Sequence, residues 1–462
     1  MNRLSAAALP PGVPRFAYDR EAKRVGIVHF GIGAFTRAHQ AWYTDRAMDA
    51  AGGDWLTVGV SLRSGDVAAQ LNPQDGLYAL VEQSGAATEW RVIGSVSEVI
   101  VAPRDPERIV DLLAAPEIAV VTFTVTEKGY CRRPDGKLDP GLAEAGFYPL
   151  VASALARRRS AGLAGLTLLS CDNLAENGRT LRRLMLEYLD ARDPRLAQWT
   201  AQECTFPCSM VDRIVPAVTA GDLDRAEQAL GLRDEGAVVT EPFSQWVIED
   251  QFAGPRPAWE RVGAEIVADV APYETAKLRM LNAAHSALAY CGLLAGHTYV
   301  HEAVADERLR ALITQLMCEE AEPTIAAAPG QDLEAYAGSL IDRFANPALG
   351  HRLIQIAMDG SQKLPQRWLA TLAANQAAGR RCPAILRGIA AWICHLHGAN
   401  EAKYGPLSDP MAEQLASASR DDDIPAVVAA LFAQGGLIAS DWTPDDADIG
   451  EIAGHVAAFE AA

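Results

Sequence analysis

Two periods of apolar spacing divide this chain. In the first half, short apolar runs stand apart from one another: VGIVHF (25–30), WLTVGVSL (55–62), IAVVTFTV (118–125) and LTLLS (166–170). Runs of this length, rich in β-branched residues, predict strands buried on both faces. Between them, 36–50, 106–114 and 148–161 carry helical spacing. Strand, helix and strand in that alternation predict βαβ units on a parallel sheet. After about residue 270 the strand signals fade. Helical spacing then recurs at 274–294, 303–321, 332–343, 350–358, 366–378 and 384–397. Pro272, at the end of EIVADVAP, marks the change. The pattern predicts an α/β domain over 1–272 and a mostly α-helical domain over 273–462.

Composition narrows the partners. A chain of 462 residues exceeds one small core, in keeping with two domains. A formal net charge of −18 repels nucleic acid and anionic lipid, so neither is expected as a general partner, while small anions remain open to local cationic sites. The eight cysteines are sparse and form no CxxC pair, as suits reduced thiols in a cytoplasmic protein. The N-terminal MNRLSAAALPPGVPRF breaks its apolar patch at Pro10 and Pro11, and no apolar run is long enough to span a bilayer. His297 and His301 have the helical i, i+4 spacing of zinc ligands, and His395 and His397 flank Leu396, but neither pair has a matching acidic or thiolate cluster near the lysine segment 274–286, so no metal is expected.

The segment RVGIVHFGIGAFTRAHQ (24–40) places Gly31 and Gly33 between a buried run and a helical one, with Ala34 and Phe35 opening the helix. A dinucleotide site uses glycines here for a tight turn and for close approach of the pyrophosphate. An ordinary strand–helix connection uses them too, and Thr36 stands where the full fingerprint has a third small residue. The second strand ends VSLRSGD. Asp66 suits a ribose hydroxyl and Arg63 a 2′-phosphate, which leaves NAD and NADP both open.

In ETAKLRMLNAAHS (274–286), an α-helical projection sets Lys277 inside the apolar stripe. His285 falls roughly 80° and Asn282 roughly 140° away from it, at the borders of the stripe. A desolvated ammonium has a lowered pKa, which makes lysine useful as a general base. The same lysine could instead snorkel or pair with a carboxylate. In LTLLSCDN (166–173), Asp172 and Asn173 end a strand, where ligands of open α/β sheets collect and where helix caps are also found.

Taken together, GIGAFTRAH (31–39), TVTEKGY (124–130), SCDNLAENG (170–178), FPCSMVDRIVP (206–216), EPFSQWVIED (241–250), KLRMLNAAHS (277–286) and DGSQKLPQR (359–367) resemble the polyol-specific long-chain dehydrogenases, which include mannitol 2-dehydrogenase and fructuronate reductase. The resemblance covers about residues 24 to 400. It implies a Rossmann-type N-terminal domain, a helical C-terminal domain with the reaction between them, and zinc-independent, NAD(P)-dependent oxidation of a secondary alcohol. It carries the catalytic lysine onto Lys277, its companions onto Asn282, His285 and Asn173, an aspartate near the nicotinamide onto Asp212, and a proton-exchanging glutamate onto Glu274. Ala283 follows Asn282 where fructuronate reductases of this kind often have glycine. Lys363 and Arg352, with His351 and Arg367 nearby, are the candidate substrate-holding cations. A carboxylate end suits them and favours D-mannonate/D-fructuronate. The alternative is D-mannitol/D-fructose or a related polyol, and a more remote one is a non-catalytic nucleotide-binding sensor. A monomer is expected to suffice.

Overall fold

The computed structural model describes residues 2–85, 87–420 and 423–461. The chain forms two compact units that divide between Val270 and Ala271. In chain order the strands are β1 (Val25–Phe30), β2 (Leu56–Ser61), β3 (Tyr78–Ser84), β4 (Ala87–Ile93), β5 (Val96–Val101), β6 (Val120–Phe123), β7 (Thr167–Ser170), β8 (Ser209–Asp212), β9 (Val238–Thr240), β10 (Gln245–Glu249) and β11 (Glu265–Val267).

The main sheet of the first unit has the order β5-β2-β1-β6-β7, and every neighbouring pair is parallel. Strand order reverses between β1 and β6, so the carboxyl end of β1 is the switch point of a Rossmann-type sheet. Alternation along the strands explains why the apolar runs were continuous. Val28, Phe30, Val58, Val60, Val121 and Phe123 pack into one core layer. Ile27, Val99, Val101, Val120 and Leu169 pack into the layer on the other face.

Two smaller sheets depart from the all-parallel expectation. β3 and β4 form an antiparallel hairpin joined by β9. β10 pairs antiparallel with β8 and parallel with β11. β11 lies within EIVADVAP, which the sequence pattern marked only as a change of character. The helix expected over 36–50 is broken at His39 into Ala34–Ala38 and Gln40–Ala51.

The second unit is built around the helix Ala283–Leu294, of which every residue but His285 and Leu294 is buried. Pro383–Leu396 is apolar on nearly every side as well, and both belong to one core with Trp368, Trp392 and Trp442. Among the described residues, three helices of this unit contain a widened, π-helical turn: Lys277–Asn282, Leu316–Ala321 and Pro365–Leu369. The first packs against both of the others. Side chains supply donors to their carbonyls: Arg367 Nη1 donates to Asn282 O at 3.2 Å, Trp368 Nε1 to Ala283 O at 3.2 Å and Asn375 Nδ2 to Glu320 O at 2.7 Å. Among the described residues no helix is long and apolar enough to cross a membrane.

Candidate active site

The turn after β1 is built for close backbone approach. Gly31 has φ of 93°, and a Cβ there would lie 2.1 Å from the Thr124 carbonyl oxygen, so only glycine fits. Gly33 is the N-cap of Ala34–Ala38 and supplies no side-chain cap. A Cβ on it would meet only Gly31 O, at 3.7 Å. The amides that open this turn therefore face no capping side chain, and the backbone there is accessible to a pyrophosphate. Ala34 and Phe35 begin the helix, with Phe35 stacked on His39. These residues fit a dinucleotide.

Thr36 is explained by what lies beneath. His29 is fully buried, and burial pushes its pKa down to about 3. Thr124 Oγ1 donates to Gly31 O at 2.9 Å, which uses its only hydrogen. Thr36 Oγ1 stands 2.6 Å from Thr124 Oγ1 and must be the donor there. His29 Nε2, 2.8 Å from Thr124 Oγ1 and 2.7 Å from Thr36 Oγ1, then carries the ring proton. Nδ1 accepts from the Thr122 hydroxyl at 2.7 Å. The third position of the fingerprint is thus wired into a polar chain ending on the first glycine.

At the tip of β2, Arg63 and Asp66 are both exposed, and Asp66 begins the helix Asp66–Leu71. Arg104, which sequence reasoning missed, borders the same loop. Its guanidinium lies 3.1 Å from where a Gly65 Cβ would be.

Asn173 is exposed beyond β7, and its position is set by its neighbours. The Asp172 carboxylate accepts from Val125 N at 3.0 Å, Thr126 N at 2.8 Å and Tyr130 Oη at 2.9 Å. Burial raises its pKa and these bonds pull it back. Asn177 ties the loop to β8, donating to Asp172 O and Ser209 O and accepting from Ser209 N. Asp212 ends β8 and is buried. The next residue, Arg213, is anchored by donating to Ala38 O and Glu241 O and by an ion pair with Glu82.

In the second unit, Lys277 is buried, 9% exposed. It opens the widened turn that Asn282 closes. The α-helical projection set the two far apart, whereas i→i+5 hydrogen bonding brings residues five apart onto one face. Glu274 is half-buried in the preceding α-helical turn, three residues before the lysine. His285 packs against Phe344, with centroids 4.5 Å apart, and against His351 at 5.4 Å. Burial, followed by the charges of His351, Arg367 and Arg343, holds the His285 pKa well below its ordinary value.

The candidate cations separate by environment. Arg352 is exposed at the start of Leu353–Ala357. Lys363 is half-buried, its amine donating to Met358 O at 2.6 Å and Ile356 O at 3.3 Å, and burial lowers its pKa. Arg367 braces the widened turn, donating to Asn282 O and to Ser286 Oγ at 2.9 Å. Arg343 was missed. It is buried on Leu333–Phe344 beside Leu340 and Phe344. A charge inside an apolar stripe, the signal that singled out Lys277, identifies it too. His297 faces Asp306 at 3.8 Å while His301 stacks on Tyr299, so the two go to different partners. Among the described residues, no three His, Cys, Asp or Glu side chains converge as a metal site needs.

The mannitol dehydrogenase Rossmann domain matches residues 25–261, and the mannitol dehydrogenase C-terminal domain matches 269–446. The chain belongs to the mannitol dehydrogenase family. Within that family it is 40% identical to the D-mannonate oxidoreductase of Escherichia coli K12, over 97% of this chain and 95% of that one. It superposes on a D-sorbitol dehydrogenase in substrate-free form with a TM-score of 0.91 at 34% identity, covering 99% of this chain and 96% of the other. The Pseudomonas fluorescens mannitol 2-dehydrogenase, solved as a ternary complex with NAD and D-mannitol, matches with a TM-score of 0.82 at 34% identity, over 99% and 97% of the two chains.

Proposed function

We propose that this member of the mannitol dehydrogenase family is a NAD(P)-dependent oxidoreductase interconverting D-mannonate and D-fructuronate at the carbon that is C2 of the ketose. The observation that carries the reading is a buried lysine, Lys277, sharing one widened helical turn with Asn282. Burial disfavours the charged ammonium, so the amine is suited to take the C2 hydroxyl proton and return it to the ketone. The nicotinamide, when bound, exchanges hydride with C2. Gly31, Gly33, Ala34 and Phe35 would hold the pyrophosphate, with Arg63 and Asp66 at the ribose end. The amide of Asn282 donates to the oxygen as its charge develops, and Asn173 is assigned the second amide. Preorganised donors of this kind are commonly worth about 3–4 kcal/mol each. His285 orients the substrate, Glu274 passes the proton to water, and Asp212 lines the nicotinamide side.

The sugar acid is preferred because the charges of Arg367 and Arg343 act on the His285 ring and that of Lys363 on the His351 ring. Arg352 and Lys363 are the assigned substrate-holding cations. Likeness to the mannitol 2-dehydrogenase solved with D-mannitol favours a second reading, D-mannitol/D-fructose. Monomeric action in the cytoplasm, with all eight cysteines free, belongs to the same proposal.

The test follows reduced-nicotinamide absorbance with D-fructuronate and D-fructose, each with NADH and NADPH. Faster reduction of D-fructuronate, by at least tenfold in kcat/KM, is expected. The reverse order would transfer the assignment to the polyol pair.

A further inference from the structure

We infer that His351 is a specificity-determining residue, forming with His285 a two-imidazole subsite for the carboxylate end of the substrate. His285 Nε2 and His351 Nδ1 are both enclosed, and neither has a hydrogen-bond partner among the described residues. Buried ring nitrogens are ordinarily paired, because an unpaired one forfeits its hydration. Two such atoms on rings 5.4 Å apart and nearly perpendicular point to one ligand that pairs both. Phe344 packs on the His285 ring and restricts its rotation.

The surrounding charge selects the ligand. The standing charges acting on the His285 ring are those of Arg367 and Arg343, and on the His351 ring that of Lys363, which itself lies in the field of Asp359 and Asp409. These cations disfavour a protonated ring, and the same field attracts an anion. Arg367 and Lys363 already donate to Asn282 O, Ser286 Oγ, Ile356 O and Met358 O. They supply potential, while the imidazoles supply N–H donors. A carboxylate has acceptors only, and each of its oxygens can take one ring N–H. This subsite rests on the sugar-acid reading above.

The test compares wild type with His351→Leu, His351→Asn and His351→Gln in the full chain, measuring kcat and KM for D-fructuronate and for the reduced nicotinamide cofactor. His351→Leu is expected to raise the D-fructuronate KM about 10- to 30-fold, with kcat within about threefold and cofactor KM unchanged. An asparagine amide nitrogen stands where Nδ1 stands, so His351→Asn returns KM to within about threefold of wild type. Glutamine reaches the Nε2 position instead and behaves like leucine. A KM that is unchanged in His351→Leu, or equal in the Asn and Gln variants, overturns the subsite alone. A wild-type enzyme that reduces D-fructose but not D-fructuronate overturns the substrate reading and the subsite with it.

Discussion

Lys277 and Asn282 open and close the same widened turn of the helix that runs from Ala271 to Leu294. An unbroken α-helix would set their side chains roughly 140° apart. The π-helical turn instead brings them toward one face, and Arg367 and Trp368 brace it by donating to the Asn282 and Ala283 carbonyls. The departure from regular helix therefore coincides with the chemistry assigned to it.

If the Lys277 amine is the base, removing it slows proton transfer and leaves the dinucleotide turn of the first unit untouched. Lys277→Ala should lower kcat roughly 10²–10⁴-fold, with cofactor affinity by fluorescence titration unchanged. Small primary amines added to the variant should restore part of the rate. Lost cofactor binding together with no amine rescue would make Lys277 a structural residue.

Thr36 gives the opposite of what the fingerprint suggests. Alanine there would restore the small third residue, yet it would remove the hydroxyl that bridges His29 Nε2 and Thr124 Oγ1. Those groups are buried beneath Gly31, so Thr36→Ala should destabilise the first unit by about 1–3 kcal/mol. Cofactor KM should rise with it, because the chain ends on the Gly31 carbonyl. Urea unfolding of the variant measures the first effect and steady-state kinetics the second. A variant as stable as wild type would show that the chain does not support the turn.

The parallel strands were legible because each was buried on both faces and so read as an unbroken apolar run. The β3–β4 hairpin was not, because its outer half (EQSGAATE) carries polar and small residues and shows no apolar face. Lys277 was legible as a charge in an apolar stripe. Its relation to Asn282 was not, since a widened turn changes the period on which the projection depends. Asp172 read as an ordinary strand end for a different reason. Its three donors, Val125 N, Thr126 N and Tyr130 Oη, come from a loop more than forty residues earlier.

That loop supports a third prediction. Thr126 has φ of 64°, a left-handed conformation unfavourable to a β-branched residue, and its amide is held by the Asp172 carboxylate. Asp172→Ala leaves the Val125 and Thr126 amides without their acceptor, while the Tyr130 hydroxyl keeps Ser170 Oγ, and should destabilise by about 2–4 kcal/mol. Thr126→Gly removes the steric strain that the carboxylate maintains. Thr126→Gly should therefore raise the melting temperature in wild type, where the carboxylate enforces the strained conformation, and raise it less in the Asp172→Ala background, where the loop can relax. Simple additivity of the two substitutions in calorimetry would show that the loop and the carboxylate are uncoupled.

Glu320 gives the second unit a pH dependence. It is 1% exposed in the widened turn Leu316–Ala321, and its carboxyl oxygens accept from Ala384 N at 2.6 Å and Ile385 N at 2.9 Å, at the start of Pro383–Leu396. Burial outweighs these bonds and raises its pKa from 4.5 to about 7. The folded unit therefore holds this proton over a pH range in which the unfolded chain has released it. Fewer protons bound on unfolding means that stability falls as pH rises, here between about 4.5 and 7, by on the order of 3 kcal/mol. Below the unfolded pKa both states are protonated and the contribution is fully present; above the folded pKa it is gone. Glu320→Gln cannot ionise, so its unfolding free energy should vary less than wild type from pH 5 to 7.5 in denaturant titrations at matched ionic strength. Equal slopes in the two proteins would assign the pH dependence to other groups and return Glu320 to the role of a charged cap.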